Sequence, residues 1–398
     1  MMTPAEPTSD DRSERPAAAW HWLEAAGLES LIGLLREEGH RVVGPQVADG
    51  AIVYRDLDSA AALPTGWIDE QDGGFYRLRH DPSAGTFDHV VGPHSLKNFL
   101  FPARETFETW DRGPDGWRQT TPPCDPDRLA VIGVRGCDLA ALAIQDRVFL
   151  GGDAIDVRYK ARRERLFLVA VNCRRAAATC FCHSMGCGPA AGPGHDLAVT
   201  EIGGRFAVET VSQAGSAVIR HMAARIPLVP LTHDEIAEAI AVPQRLRQQM
   251  NDRRPEEGTA RPRSMDTENI RDLLFDNLYH PRWRQVADRC LSCANCTLVC
   301  PTCFCSSVTD VTDLTGDAVS RERQWASCFT LEHSQMHAGN ARPTTASRYR
   351  QWLTHKLAGW IDQFGTSGCT GCGRCITWCP VGIDITEEVA AIREPPAP

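Results

Sequence analysis

Apolar positions at the start of the chain fall at helical intervals: Trp20, Leu23, Leu28, Leu31, Leu34 and Leu35 predict a helix near 20–38. The pattern then changes. β-branched runs broken by Gly and Pro in RVVGPQVADGAIVYRDL (41–57) predict strand, turn and strand, and FYRLR (75–79) predicts another strand. RLAVIGVRGCDLAALAIQDRVF (128–149) reads as a buried strand, a turn holding Cys137 and a helix opened by Asp138. RLFLVAVNC (165–173) repeats the buried strand and delivers Cys173 at its end. DLAVTEIGGRFAVET (196–210) predicts a hairpin turning at Gly203 and Gly204.

These elements predict a mixed α/β domain over residues 18–235, preceded by a disordered tail over 1–17. A charged, proline-containing stretch predicts a linker over 236–265, in part helical. From 266 to 398 the chain is expected to be mainly helical. Helices are predicted at 267–279 and 281–289, and over ASRYRQWLTHKLAGWIDQF (346–364), with Gly365 as a stop signal. Asp384 is expected to cap TEEVAAIR, with Glu387 completing a capping box.

Composition narrows the class. A formal charge of −9 argues against nucleic-acid and anionic-membrane partners. The longest apolar run, 129–144, is interrupted by Arg135 and Asp138, so no transmembrane segment is expected. The polar, acidic N-terminus has no apolar core of a secretory signal, which predicts a cytoplasmic protein. In that reducing compartment, seventeen cysteines at short spacings read as metal ligands rather than disulfides.

Two stretches, CLSCANCTLVCP (290–301) and CTGCGRCITWCP (369–380), share the frame C-x2-C-x2-C-x3-C-P. Three cysteines at spacing three suit one cubane cluster, and in two-cluster ferredoxins the fourth ligates the other cluster. The frame therefore assigns Cys290, Cys293, Cys296 and Cys379 to one [4Fe-4S] cluster, and Cys369, Cys372, Cys375 and Cys300 to a second. Structural zinc sites use paired two-plus-two knuckles and do not fit. The 68 residues between Cys300 and Cys369 look helical, which resembles a helical ferredoxin rather than a compact one.

Further stretches carry a wider resemblance: VVGPHSLKNFLFPARET (90–106), VRGCDLAALAIQDRVFL (134–150), NCRRAAATCFCHSMGCGP (172–189), CPTCFC (300–305), RYRQWLTHK (348–356) and GCTGCGRCITWCPVGIDI (368–385). Over about residues 20–395 the chain resembles the beta subunit of cytoplasmic sulfhydrogenases. The A subunit of anaerobic sulfite reductases is similar. The resemblance implies an iron–sulfur subunit that relays electrons between a flavin/NAD(P)H-binding subunit and a hydrogenase or sulfur-reducing centre, with hydrogenase small and large subunits (or sulfite reductase subunits) as partners. A freestanding redox sensor is the reading from another class. No dinucleotide-binding glycine motif follows a strand, since GCGPAAG (186–192) has the wrong spacing, and no catalytic constellation emerges.

Other cysteines remain. Cys137 and Cys173 each follow a buried strand, and such strand ends converge on one rim of an α/β sheet. With Cys180 and Cys182 they form either a third cluster site or a set of buried thiols. Cys187 is a reserve ligand. Cys303 and Cys305 are expected to shield the Cys300 cluster, with the alternative that they face the upstream site; Cys328 is expected to be buried and Cys124 to be incidental. His183 is expected as a hydrogen-bonded loop histidine. Arg348, Tyr349, Trp352 and Trp360 are expected to pack between helices, with the alternative that they tune a cluster.

Overall fold

The computed structural model describes residues 19–122, 124, 126–253 and 263–394; the expected tail and residues 254–262 of the expected linker lie outside them. The centre is an eight-stranded sheet. Its strands run, edge to edge, Val229–Pro230, Trp20–Leu23, Arg205–Thr210, Leu197–Ile202, Leu166–Val171, Arg128–Val134, His40–Ala48 and Ala51–Asp56. The four strands from Leu197–Ile202 to His40–Ala48 are parallel to one another; the flanking pairs are antiparallel. Parallel strands are covered on both faces, which is why Arg128–Val134 and Leu166–Val171 read as unbroken apolar runs. Ala130 and Ile132 pack with Leu31, Ile32 and Leu35 of the helix Ala25–Glu37 on one face. Val131 and Val134 pack with Leu139, Leu142 and Phe149 of the helix Gly136–Phe149 on the other.

A second sheet joins distant parts of the sequence. Its order is Ser306–Thr312, Ala318–Trp325, Arg104–Gly113 and Gly116–Thr120, all antiparallel. Ion pairs hold it to the first unit: Glu105 pairs with Arg162, and Arg323 with Asp156. The C-terminal helices Ile270–Asp276, Arg282–Ala287, Thr345–Phe364 and Ile385–Arg393 enclose a core of Leu274, Trp283, Val286, Tyr349, Trp352, Leu353, Leu357 and Val389.

Several expectations need correction. Trp20–Leu23 is a strand, and the helix starts only at Ala25, because Trp20–Leu23 pairs with Phe206–Glu209. Residues 236–252 of the expected linker are helical. Thr232 and Glu235 form a capping box at the start of His233–Asp252, which tolerates Pro243 inside it. The segment between the cysteine frames is not mainly helical: the hairpin 306–325 lies in it. Its strands follow β propensity at Val308, Thr309, Val311 and Thr312. Asp384 caps its helix through Thr386 N and also pairs with Arg263, but Glu387 does not complete a box. Gly365 does stop its helix, at φ 66°.

Candidate metal centres

The two cysteine frames adopt one backbone conformation. Ser292 and Ala294 in the first, Gly371 and Gly373 in the second, occupy equivalent positions with φ of 52°, 68°, 67° and 79°. For non-glycine residues this costs about 1–3 kcal/mol and persists where the surroundings demand it. In each frame the amide two residues past the first cysteine donates to its sulfur: Ser292 N to Cys290 Sγ and Gly371 N to Cys369 Sγ, both 3.4 Å. Short helices, Asn295–Leu298 and Arg374–Thr377, then lead to the fourth cysteine.

The fold brings the expected thiols into two adjoining groups. Burial raises the Cys290 thiol above its ordinary value, and the charges of Cys379 and Cys293 add to this. Cys296 is pushed well up by burial and has Cys328, Cys290, Cys379 and Cys293 as charged neighbours. In the second group, burial raises Cys375, reinforced by Cys369, Cys372 and Cys300, with Cys296 of the first group beyond them. Burial lifts Cys369 to about 12. Buried thiolates that repel one another are unfavourable unless a cation lies among them.

Among the described residues, no three His, Cys, Asp or Glu side chains gather closely enough to hold a single metal ion. A zinc site would require sulfurs about 2.3 Å from one point. A four-iron cube carries one iron at each ligand, so its thiols need not converge on a single point. The chemistry around the groups suits such a guest. Among the described residues, Tyr349 Oη, Trp352 Nε1, Thr370 Oγ1 and Trp378 Nε1 are buried without a hydrogen-bond partner. Cys296, Cys375 and Cys290 are among the charged groups nearest Tyr349. Donors without acceptors beside thiols fit sulfur as the missing acceptor.

The upstream cysteines form a third gathering. Cys137, Cys180 and Cys182 are buried together, with Cys173, Cys187 and Cys372 packed against them. Cys137 lies in the first turn of its helix, and Cys173 follows the neighbouring parallel strand, so the sheet delivers both to one rim. Burial lifts Cys180 to about 12 and Cys187 to about 11, and raises Cys182 well above its ordinary value, with Cys180, Cys173, Cys187 and Cys372 adding charge. Arg135 Nη1 lies 3.8 Å from Cys173 Sγ.

This loop packs directly on the second frame. Phe181 N donates to Gly371 O at 2.9 Å, and Thr179 Oγ1 lies 2.8 Å from Thr377 Oγ1. A Cβ on Gly371 would come within 2.7 Å of the Cys182 backbone. Arg374 completes the join: its guanidinium, 1% exposed, meets Asp138 at 2.7 and 3.1 Å and donates to Gly92 O and His94 O.

Around Cys300 lie two cations that the sequence reading missed. Lys356 Nζ is 3.3 Å from Cys300 Sγ, 3.0 Å from Thr302 Oγ1 and 3.0 Å from Gly368 O. Lys97 Nζ donates to Leu298 O at 3.0 Å and sits 3.9 Å above the Trp325 ring. Cys303 shares a hydrogen bond with Cys300, which together with Lys356 holds the Cys300 thiol well below its ordinary value despite burial. Cys305 and Cys328 are charge neighbours of each other, and burial lifts Cys328 to about 12. Arg348 Nη2 reaches Ser292 Oγ at 3.3 Å, so it touches the first frame. Trp360 packs edge-on to Phe304. His183 is buried, with Nδ1 unpartnered among the described residues, and Cys124 is exposed. Lys356 had a legible signal: with Tyr349, Trp352 and Leu353 it falls on one apolar helical stripe, where a lysine is out of place.

Residues 289–383 match the model of the 4Fe-4S dicluster domain family. The chain is also 29% identical, over 268 residues, to sulfhydrogenase 2 subunit beta of Pyrococcus furiosus; the match covers 67% of this chain and 75% of that one. The chain is thus similar to a sulfhydrogenase beta subunit. It carries the iron–sulfur dicluster domain at the end where its cysteine frames lie. No helix among the described residues is long and apolar enough to cross a membrane.

Proposed function

We propose that this sulfhydrogenase beta-subunit homologue is an electron relay, with Cys290, Cys293, Cys296 and Cys379 holding one [4Fe-4S] cluster and Cys300, Cys369, Cys372 and Cys375 a second. The observation that carries it is the left-handed turns shared by the two frames, with Cys379 among the charge neighbours of Cys290 and Cys296, and Cys300 among those of Cys375. Bound there, such clusters exchange single electrons. The chain's own residues prepare the cages: left-handed turns aim amides at sulfur, and Tyr349, Trp352 and Phe329 exclude water. Cys137, Cys173, Cys180 and Cys182 are a third site of the same kind, extending the relay across the α/β unit. Cys372 links that pocket to the second group.

The partners are a flavin/NAD(P)H-binding subunit and hydrogenase subunits, and the compartment is the cytoplasm. The relative found favours this branch over the sulfite reductase one and over a freestanding sensor. The test is iron and acid-labile sulfide per chain on anaerobically purified protein, with a Cys180→Ala/Cys182→Ala double variant alongside. About twelve irons in the parent and about eight in the variant are expected. About eight in both removes the third site, and fewer than about four in the parent refutes the relay.

A further inference from the structure

Lys356 stands in an unusual place. The helix Thr345–Phe364 widens to π geometry over His355–Gly359, and that turn carries it. Such turns are frequent at functional sites. Lys356 is 4% exposed, and its three donors all end on acceptors: Cys300 Sγ, Thr302 Oγ1 and Gly368 O. Among the described residues, no carboxylate pairs with it. The other cation nearby, Lys97, is likewise buried and repels it. A buried ammonium without a counter-charge is strongly unfavourable. The negative charge within reach is that of the cysteines, Cys300 above all. The Cys290/Cys293/Cys296/Cys379 group has no equivalent among the described residues: Arg348 beside it reaches the Ser292 hydroxyl, and the bonds to its sulfurs come from backbone amides.

We propose that Lys356 is a positioning residue that sets the reduction potential of the Cys300/Cys369/Cys372/Cys375 site, holding it above the value the same frame would have without a buried ammonium. The inference rests on the relay reading and deepens it. Reduction adds one negative charge to the site, and a fixed positive charge against a ligand sulfur favours the reduced state. Lys356 thus makes two frames of one backbone unequal, and gives the relay an internal gradient.

The test is an EPR-monitored redox titration of the full chain, with iron and sulfide counts, for the parent, Lys356→Met, Lys356→Gln and Lys356→Arg. Methionine removes charge and donors; glutamine keeps a donor without charge; arginine keeps the charge. In both neutral variants one cluster should become at least tenfold harder to reduce, a shift of 59 mV or more for one electron, with the iron count unchanged. The other clusters should hold their values, and arginine should restore most of the shift. Superimposable titrations at full iron content overturn the proposal. So does loss of about four irons in both neutral variants, which makes Lys356 a requirement for assembly. A parent that lacks iron or does not titrate reversibly refutes the relay itself, which is a different failure.

Discussion

Replacing Asp138 by Ala should loosen the second cysteine frame from the α/β unit. Asp138 and Arg374 are each 1% exposed in their side chains and meet in a bidentate pair. Removing one partner of such a pair costs about 3–5 kcal/mol, because the other charge stays buried and uncompensated. Arg374 keeps its bonds to Gly92 O and His94 O, which places the loss near the lower end, about 3 kcal/mol. The assay is native-state hydrogen exchange at Ile376 N, Thr377 N and Trp378 N, whose bonds close the helix after Gly373. It reads local opening without requiring reversible global unfolding. At 1.36 kcal/mol per tenfold, these amides should exchange roughly 100-fold faster. An Asp138→Leu/Arg374→Met double variant leaves no orphan charge and should recover most of the protection. Acceleration below about fivefold in Asp138→Ala, or a double variant worse than either single one, would refute the reasoning.

Two further outcomes follow from the same geometry. Gly371→Ala places a Cβ 2.7 Å from the Cys182 backbone at φ +67°, so iron should fall by about four per chain; Gly203→Ala, in open space at φ +57°, costs about 1–2 kcal/mol and should leave iron unchanged. His89 is buried, and burial followed by the charge of Arg135 holds its imidazole well below the usual 6.5. Its folded value is depressed, so its contribution is present above pH 6.5 and is lost as pH falls toward the folded value. The thermal midpoint should therefore drop between pH 7.5 and 5, less steeply in His89→Gln; equal slopes in the two proteins would overturn this assignment.

The sequence was most legible where one local force acts alone. The runs at 128–134 and 166–171 announce buried parallel strands because nothing but apolar burial sets their composition. The cysteine frames announce their loops because spacing and φ demands are local. Legibility failed where the deciding partner is remote. Arg104–Gly113 pairs with Ala318–Trp325 about two hundred residues away, through strands bearing Arg and Glu on their faces, which give no apolar alternation. Trp20–Leu23 fits a helical period as well as a strand, and pairing with Phe206–Glu209 decides it. Arg374 looks like a spacer inside its frame; only the fold brings Asp138 to it.

The repeated phrase TCFC shows how a local signal acquires meaning from such remote contacts. Both threonines are buried, Thr179 at 0% and Thr302 at 1% exposure, and both hydroxyls bond at or beside the same C-terminal frame. Thr302 Oγ1 donates to Gly368 O at 2.6 Å, just before the frame begins, while Thr179 Oγ1 meets Thr377 Oγ1 near its end. The phenylalanines anchor each copy: Phe181 in the core beneath the frame, Phe304 between Phe149 and Trp360. The cysteines of the two copies then fall on different neighbours, Cys180 and Cys182 on the upstream pocket, Cys303 and Cys305 beside Lys97 and Lys356. One phrase thus clasps one frame at both ends. Its threonine and phenylalanine fix position, while its thiols fall among different neighbours.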